Sequence, residues 1–276
     1  MKEVDIKIDK VPTGMKRSYI EVVQSFLKEK NRRYFGIAAA SLQNQLDDPK
    51  YQDYKPNSKI INIGISGEKQ TSKTLRKWIV DKPEVVLVDS ISLPIGNFEP
   101  EEDGEEGQLD LGDTDHLLII GDSLVIIDSK NWKAKTTYSV GEKAEGKGYE
   151  ILRGKKPFKG NQPRINQARY LWLQYFIELG IKEVYTFVCI SDPEVNIIRD
   201  RTCWWRAGYK LVNQTTLTYF LDKLYNDKIY QNTPEEERYR FIRVELVAQA
   251  LTGLTKPYEK YKEKFGPAIY NKVKVK

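Results

Sequence analysis

Two β-prone runs, Thr114 to Ile120 and Leu124 to Lys130, stand on either side of Gly121-Asp122-Ser123, and no other stretch limits the fold as strongly. Gly-Asp is a favoured two-residue hairpin loop. With Gly121 and Asp122 as that loop, Ile120 pairs with Ser123, and stepping outward sets Asp115 directly opposite Asp128. Directly opposed residues have Cβ atoms roughly 4.5 to 5.5 Å apart, close enough for two carboxylates to hold one divalent cation. Lys130 lies two residues beyond Asp128 and so shares its face. Both runs are otherwise apolar on both faces, the pattern of central, buried strands with a polar trio at one end. Asp113 would fall opposite Lys130 if the strand reached that far, as a salt-bridge partner.

Two like charges at such range repel unless a proton or a cation lies between them. Magnesium held by one or two carboxylates polarises a phosphate and acidifies a bound water, while an ammonium steadies developing negative charge. Neither cysteine nor histidine is needed. His116 is the sole histidine, and strand alternation turns it away from Asp115, so it reads as a packed structural residue. Cys189 and Cys203 have no Cys or His neighbour at zinc-ligand spacing and read as structural thiols of a reducing compartment.

Charge is segregated along the chain. Glu99 to Asp115 has nine acids and no base, Ile151 to Tyr170 six bases and no acid, and Thr255 to Lys276 seven lysines against two acids. The pattern suggests a metal site beside a phosphate-binding surface. Lys155, Lys156, Lys159 and Arg164 punctuate a Gly-rich loop with Phe158, a composition suited to phosphates and a base or sugar. Trp204 and Trp205 read as core or interface anchors.

At 276 residues the chain is one decorated domain or a core with appendages, and 40% hydrophobic against 30% charged residues is ordinary for a globular protein. Helices are expected from Ser18 to about Asn31, over Ala38 to Leu46, Glu68 to Val80, Pro163 to Leu179 and Leu217 to Leu224, and from Pro234 onward. Further strands are expected at Glu84 to Val88 and Val184 to Ile190, with a long loop after Lys130. Tyr54-Lys55-Pro56-Asn57 reads as a breaker, and a boundary falls near residue 57. The order gives an α/β core with a mixed sheet. Glu68, at the expected start of its helix, suits the helix dipole and is aimed toward the stripe of Leu75 and Ile79. Gln167 sits within an apolar stripe of the helix after the basic loop.

The run from Gly112 to Ile120 and the run from Val125 to Trp132 together resemble the nuclease-related domain, NERD, a branch of the PD-(D/E)XK nuclease superfamily. Gly67-Glu68 resemble the family's Gly-Glu at its first core helix. Pro163, Gln167 and Val184 to Ser191 resemble its following helix and strand. The resemblance covers about residues 60 to 195 and implies a restriction-endonuclease-like core over 58–195; outside it, 1–57 and 196–276 read from their own residues as mainly helical extensions, the latter ending in a basic tail. It implies Asp115, Asp128 and Lys130 as a catalytic trio, Asp115, Asp128 and Glu68 as ligands of Mg²⁺ or Mn²⁺, and Gln167 as an accessory residue. Asp128 stands where the family more often has Glu.

The sequence reading is therefore a cytoplasmic, metal-dependent nuclease hydrolysing DNA phosphodiester bonds. RNA is left open as a substrate, no membrane association is expected, and the terminal extensions could mediate a homodimer or bind a partner protein. The alternatives are a nuclease-fold module that no longer cleaves and binds nucleic acid or protein, and an unrelated α/β interaction protein whose acidic segment Glu99 to Asp110 meets a basic partner.

Overall fold

The computed structural model describes residues 34–47, 55–82, 85–92, 113–132, 136–146, 148–158 and 181–229. Its centre is a six-stranded mixed sheet in the order β1-β2-β3-β4-β8-β10, formed by β1 (Tyr34–Phe35), β2 (Val85–Ser92), β3 (Asp113–Ile120), β4 (Ser123–Lys130), β8 (Glu183–Ile190) and β10 (Lys210–Asn213). β2, β3 and β4 are antiparallel neighbours, whereas β1 joins β2, β8 joins β4 and β10 joins β8 in parallel. The hairpin strands β3 and β4 are central, as their two-faced apolar pattern requires.

Alternation along these strands feeds two separate cores. Leu117, Ile119, Leu124 and Ile126 face Tyr138, Val140, Ile151 and Trp204 on one side. Leu118, Ile120, Val125 and Ile127 face Leu75, Trp78, Ile79, Leu217 and Leu221 on the other. Those last residues belong to α2 (Lys55–Trp78), its 310-like exit, and α4 (Gln214–Ile229); α1 (Ala40–Asp47) packs on α2. Trp78 Nε1 donates to Asp222 Oδ1 at 2.7 Å and ties α2 to α4.

Two expectations about the elements change. Tyr54 to Asn57 was read as a breaker, yet α2 begins at Lys55 and runs 24 residues, so the boundary near 57 falls inside a helix. Pro56 sits in its first turn, where no intrahelical N–H is needed and the fixed φ favours a start. The expected long loop after Lys130 contains strands of a second, four-stranded sheet, β7-β6-β5-β9: β5 (Thr137–Glu142), β6 (Tyr149–Arg153), β7 (Lys156–Pro157) and β9 (Asn196–Ile197). Trp132, Tyr138 and Phe158 close on one another there, with ring centroids 4.4 to 5.9 Å apart.

The main sheet continues past residue 195, because β10 pairs with β8 and α3 (Arg201–Ala207) leads into it. Asp200 caps α3 by accepting from the Cys203 amide, and Gly208 ends it at φ +76°. Trp204 is buried, whereas Trp205 is exposed. The helices expected over 18–31, over 163–179 and from 234 onward lie outside the described residues. Among the described residues no helix is long and apolar enough to cross a membrane.

Candidate active site

The hairpin forms in the register that its turn dictates. Gly121 takes φ +59°, the left-handed conformation that a type II′ loop needs at its first position. Ile120 pairs with Ser123, and the regular ladder ends at His116 with Ile127. Asp115 and Asp128 follow immediately beyond that last pair. There the Ser129 amide donates to the Asp115 carboxylate, Oδ2 at 2.6 Å, so a side chain takes over where the ladder stops.

Asp115, Asp128 and Lys130 share one sheet face by alternation. Lys130 Nζ donates to Asp128 Oδ1 at 2.6 Å, both side chains being 22% exposed. Asp128 Oδ2 is buried and, among the described residues, accepts no hydrogen bond. Burial, together with the negative charges of Glu68 and Asp128, raises the Asp115 pKa well above the usual carboxylate range, with Lys130 and His116 opposing. Burial works against the charged form of Lys130, yet Asp128, Asp115 and Glu68 outweigh it and raise its pKa.

Glu68 joins this group from α2, although not as a helix N-terminal residue. It lies in the body of the helix, buried, so the dipole gives no account of it. What brings it in is Gly67: a Cβ there would come within 2.8 Å of Asn131 Cβ and 3.2 Å of Asn131 N. The missing side chain lets α2 approach the end of β4, and Asn131 Nδ2 fastens the contact by donating to Ile63 O at 2.9 Å. Ser191 N donates to Lys130 O at 2.9 Å and holds the end of β8 alongside.

His116 is structural, as expected, but its partners were not foreseen. On the opposite face, under α2, its Nδ1 lies 2.7 Å from Asp89 Oδ1 and its Nε2 2.9 Å from Ser129 Oγ. Asp89 is fully buried and also accepts from Ser72 Oγ at 2.5 Å and Tyr34 Oη at 2.8 Å, with Arg76 Nη2 at 3.8 Å. The chain Asp89–His116–Ser129 thus ends at the residue whose amide holds Asp115. Next to it Ser90 adopts φ +47° and its Oγ accepts from Ala40 N at 3.0 Å, while Gly36 passes so close that a Cβ would sit 2.0 Å from Asp89 O. A non-glycine residue in that conformation beside a buried acid marks stored strain. The sequence signal was an acid ending the apolar run Val85 to Val88, within a strand that runs to Ser92.

Of the basic residues expected to bind nucleic acid, Lys155 and Lys156 are exposed at the β6–β7 turn of the second sheet. Phe158, expected to meet a base or sugar, is instead committed to the Trp132 and Tyr138 cluster. Lys159, Arg164 and Gln167 lie outside the described residues. Burial raises the Cys189 thiol to about 12, which suits an inert structural role.

Among the described residues, no three Asp, Glu, His or Cys side chains already surround a single ion position. Magnesium does not require such a cage, since one or two carboxylates plus waters and substrate phosphates suffice. The donor set fits it: the unpaired Asp128 Oδ2 and an Asp115 strained by neighbouring negative charge are oxygen ligands that a hard cation would satisfy. Glu68, whose charge acts on Asp115, is a third carboxylate.

The mixed α/β scaffold is consistent with a nuclease-like domain. Residues 63–191 match the family model of the nuclease-related domain, NERD. No curated protein and no solved structure matches the chain.

Proposed function

We propose that the protein is a metal-dependent nuclease with a restriction-endonuclease-like core, hydrolysing DNA phosphodiester bonds with Asp115, Asp128 and Lys130. The observation behind this reading is the pairing of a buried, unsatisfied Asp128 Oδ2 with a Lys130 ammonium 2.6 Å from Oδ1, beside an Asp115 whose pKa is raised. Such a group is costly in a purely structural role, because a buried carboxylate oxygen that accepts no hydrogen bond destabilises a fold. Bound Mg²⁺ or Mn²⁺ would supply Lewis acidity toward the scissile phosphate and an acidified water.

The chain's own groups divide the remaining work. Asp115 and Asp128 supply ligand oxygens from adjacent strands, and Glu68 adds a third from α2. The Ser129 amide keeps Asp115 from rotating out of the site. Lys130 stays protonated because the surrounding acids raise its pKa, so it acts as a hydrogen-bond donor to charge developing on the phosphate and not as a base.

The test is cleavage of supercoiled plasmid and single-stranded DNA with Mg²⁺ or Mn²⁺, beside Asp128→Asn and Lys130→Met. Cleavage that needs the metal, vanishes in Asp128→Asn and slows about 100-fold in Lys130→Met supports the reading. DNA binding without cleavage by the wild-type protein under both metals would overturn it in favour of a non-cleaving nucleic-acid module.

A further inference from the structure

The solvent-facing side of α2 bears a second feature that the hairpin chemistry does not use. Lys69, Lys73, Arg76 and Lys77 line an open groove of about 520 Å³ with Ile37, Ala38, Ser72 and Val80. All four cations are exposed. Lys69, Lys73 and Lys77 recur every fourth residue, so their attachment points step along one helix face about 6 Å at a time. Like charges at this spacing repel and weaken a helix. Among the described residues no acid pairs with any of these three lysines.

The groove is also built at its floor. The Arg76 guanidinium lies 3.5 Å from the Tyr34 ring centroid and 3.8 Å from the buried Asp89, an orientation fixed by stacking on one side and charge on the other. Ser72, which lines the floor, donates to the same Asp89. Arg76 therefore presents its planar donors in a defined direction, the geometry that favours bidentate phosphate recognition. One end of the groove begins at Lys69, the residue after Glu68, whose charge acts on Asp115. At that end an occupant of the groove reaches the helix turn that carries Glu68.

We propose that this groove is the track for the substrate's phosphate backbone. Lys69, Lys73 and Lys77 meet successive phosphates of one strand, and Arg76 sets the register with which that strand reaches Asp115 and Asp128. The regular spacing of three lysines along one helix face favours a linear polyphosphate over an acidic protein surface. The assignment rests on reading those carboxylates as a nuclease centre.

The experiment is fluorescence anisotropy of a labelled 30-mer oligodeoxynucleotide, single-stranded and as a duplex, titrated with the full chain in EDTA across a salt series. Replacing Lys69→Gln, Lys73→Gln and Lys77→Gln together should lower the log–log salt slope by about 2 for the single strand, since each neutralised phosphate contributes about 0.7. Affinity near 0.1 M salt should fall by about 10-fold or more. Lys77→Gln alone should remove about one third of the slope change, which keeps the test usable if the triple variant folds poorly by thermal melt. Lys143→Gln with Lys223→Gln, which remove charge on other elements, should change the slope by well under 1 unit. Wild-type slope and affinity in the triple variant would overturn the groove while leaving the cleavage test untouched. A wild-type protein that binds but does not cleave, with the slope still dependent on these lysines, would overturn the nuclease reading and with it the groove's role in leading a substrate, while keeping the groove as the surface that binds the phosphate backbone.

Discussion

Replacing Gly67 by alanine separates the stability of the fold from the arrangement of its site. The added Cβ would lie 2.8 Å from Asn131 Cβ, 3.2 Å from its N and 3.4 Å from its Cα. Carbon atoms pack best at about 3.5 to 4.0 Å, so that turn of α2 must withdraw by roughly 1 Å. Alanine gains about 1 kcal/mol of helix propensity over glycine, while overpacking costs about 1 to 3 kcal/mol. The net change in stability should therefore be small, a loss of about 2 kcal/mol at most. The catalytic effect should be much larger, because Glu68 moves with the helix, and a displacement of about 1 Å in a reacting constellation slows a reaction about 100-fold. Gly64→Ala is the control: on the same helix, its Cβ meets only Leu42 Cδ1, the end of a flexible side chain that can rotate away. Urea melts and single-turnover cleavage with saturating Mg²⁺ read the two quantities. Wild-type cleavage by Gly67→Ala, or an equal rate loss in Gly64→Ala, would refute the claim that close approach of α2 positions Glu68.

His116→Ala should destabilise the protein by about 3 kcal/mol in urea melts, because it takes the buried partner from Asp89 Oδ1 and from Ser129 Oγ, Ser72 and Tyr34 remaining only on Asp89 Oδ2; a loss under about 1 kcal/mol would remove the network from the fold's support. Asp115 holds its proton more tightly folded than unfolded, so between the unfolded pKa of about 3.9 and the raised folded pKa the native state binds the extra proton. That contribution to stability is full below the unfolded pKa and is lost as pH rises through the folded one. Asp115→Asn should therefore flatten the metal-free stability profile above about pH 4, and Mg²⁺ should flatten it in the wild type; identical profiles for wild type and variant without metal would contradict the shift. With its thiol raised to about 12, Cys189 should react with Ellman's reagent only on unfolding. Fast modification of both thiols in the native protein would count against that burial.

The hairpin and its register were local facts. A two-residue turn fixes which residues oppose, and alternation fixes which share a face, so Asp115, Asp128 and Lys130 could be brought together from spacing alone, and His116 could be turned away from them. The α/β class followed from the order of apolar runs by the same kind of reasoning. Other features depend on contacts between segments far apart in the chain. Asp89 meets His116 across 27 positions and Tyr34 across 55, and only strand pairing and the approach of α2 bring them together. The second sheet escaped notice because its strands are short and only partly buried: β5 buries Tyr138, Ser139 and Val140 in a row, and β9 contributes two residues from nearly 60 positions away. The extent of α2 is hidden in the sequence because Pro56 reads as a breaker until its place in a first turn is known. The lysine spacing on α2 was visible in the chain, but its neighbours were not. A groove needs a second wall, and Ile37 and Ala38 supply it only after β1 pairs with β2 and α1 packs on α2. Local stereochemistry set the register of the hairpin; the packing of distant elements against it decided what surrounds the carboxylates.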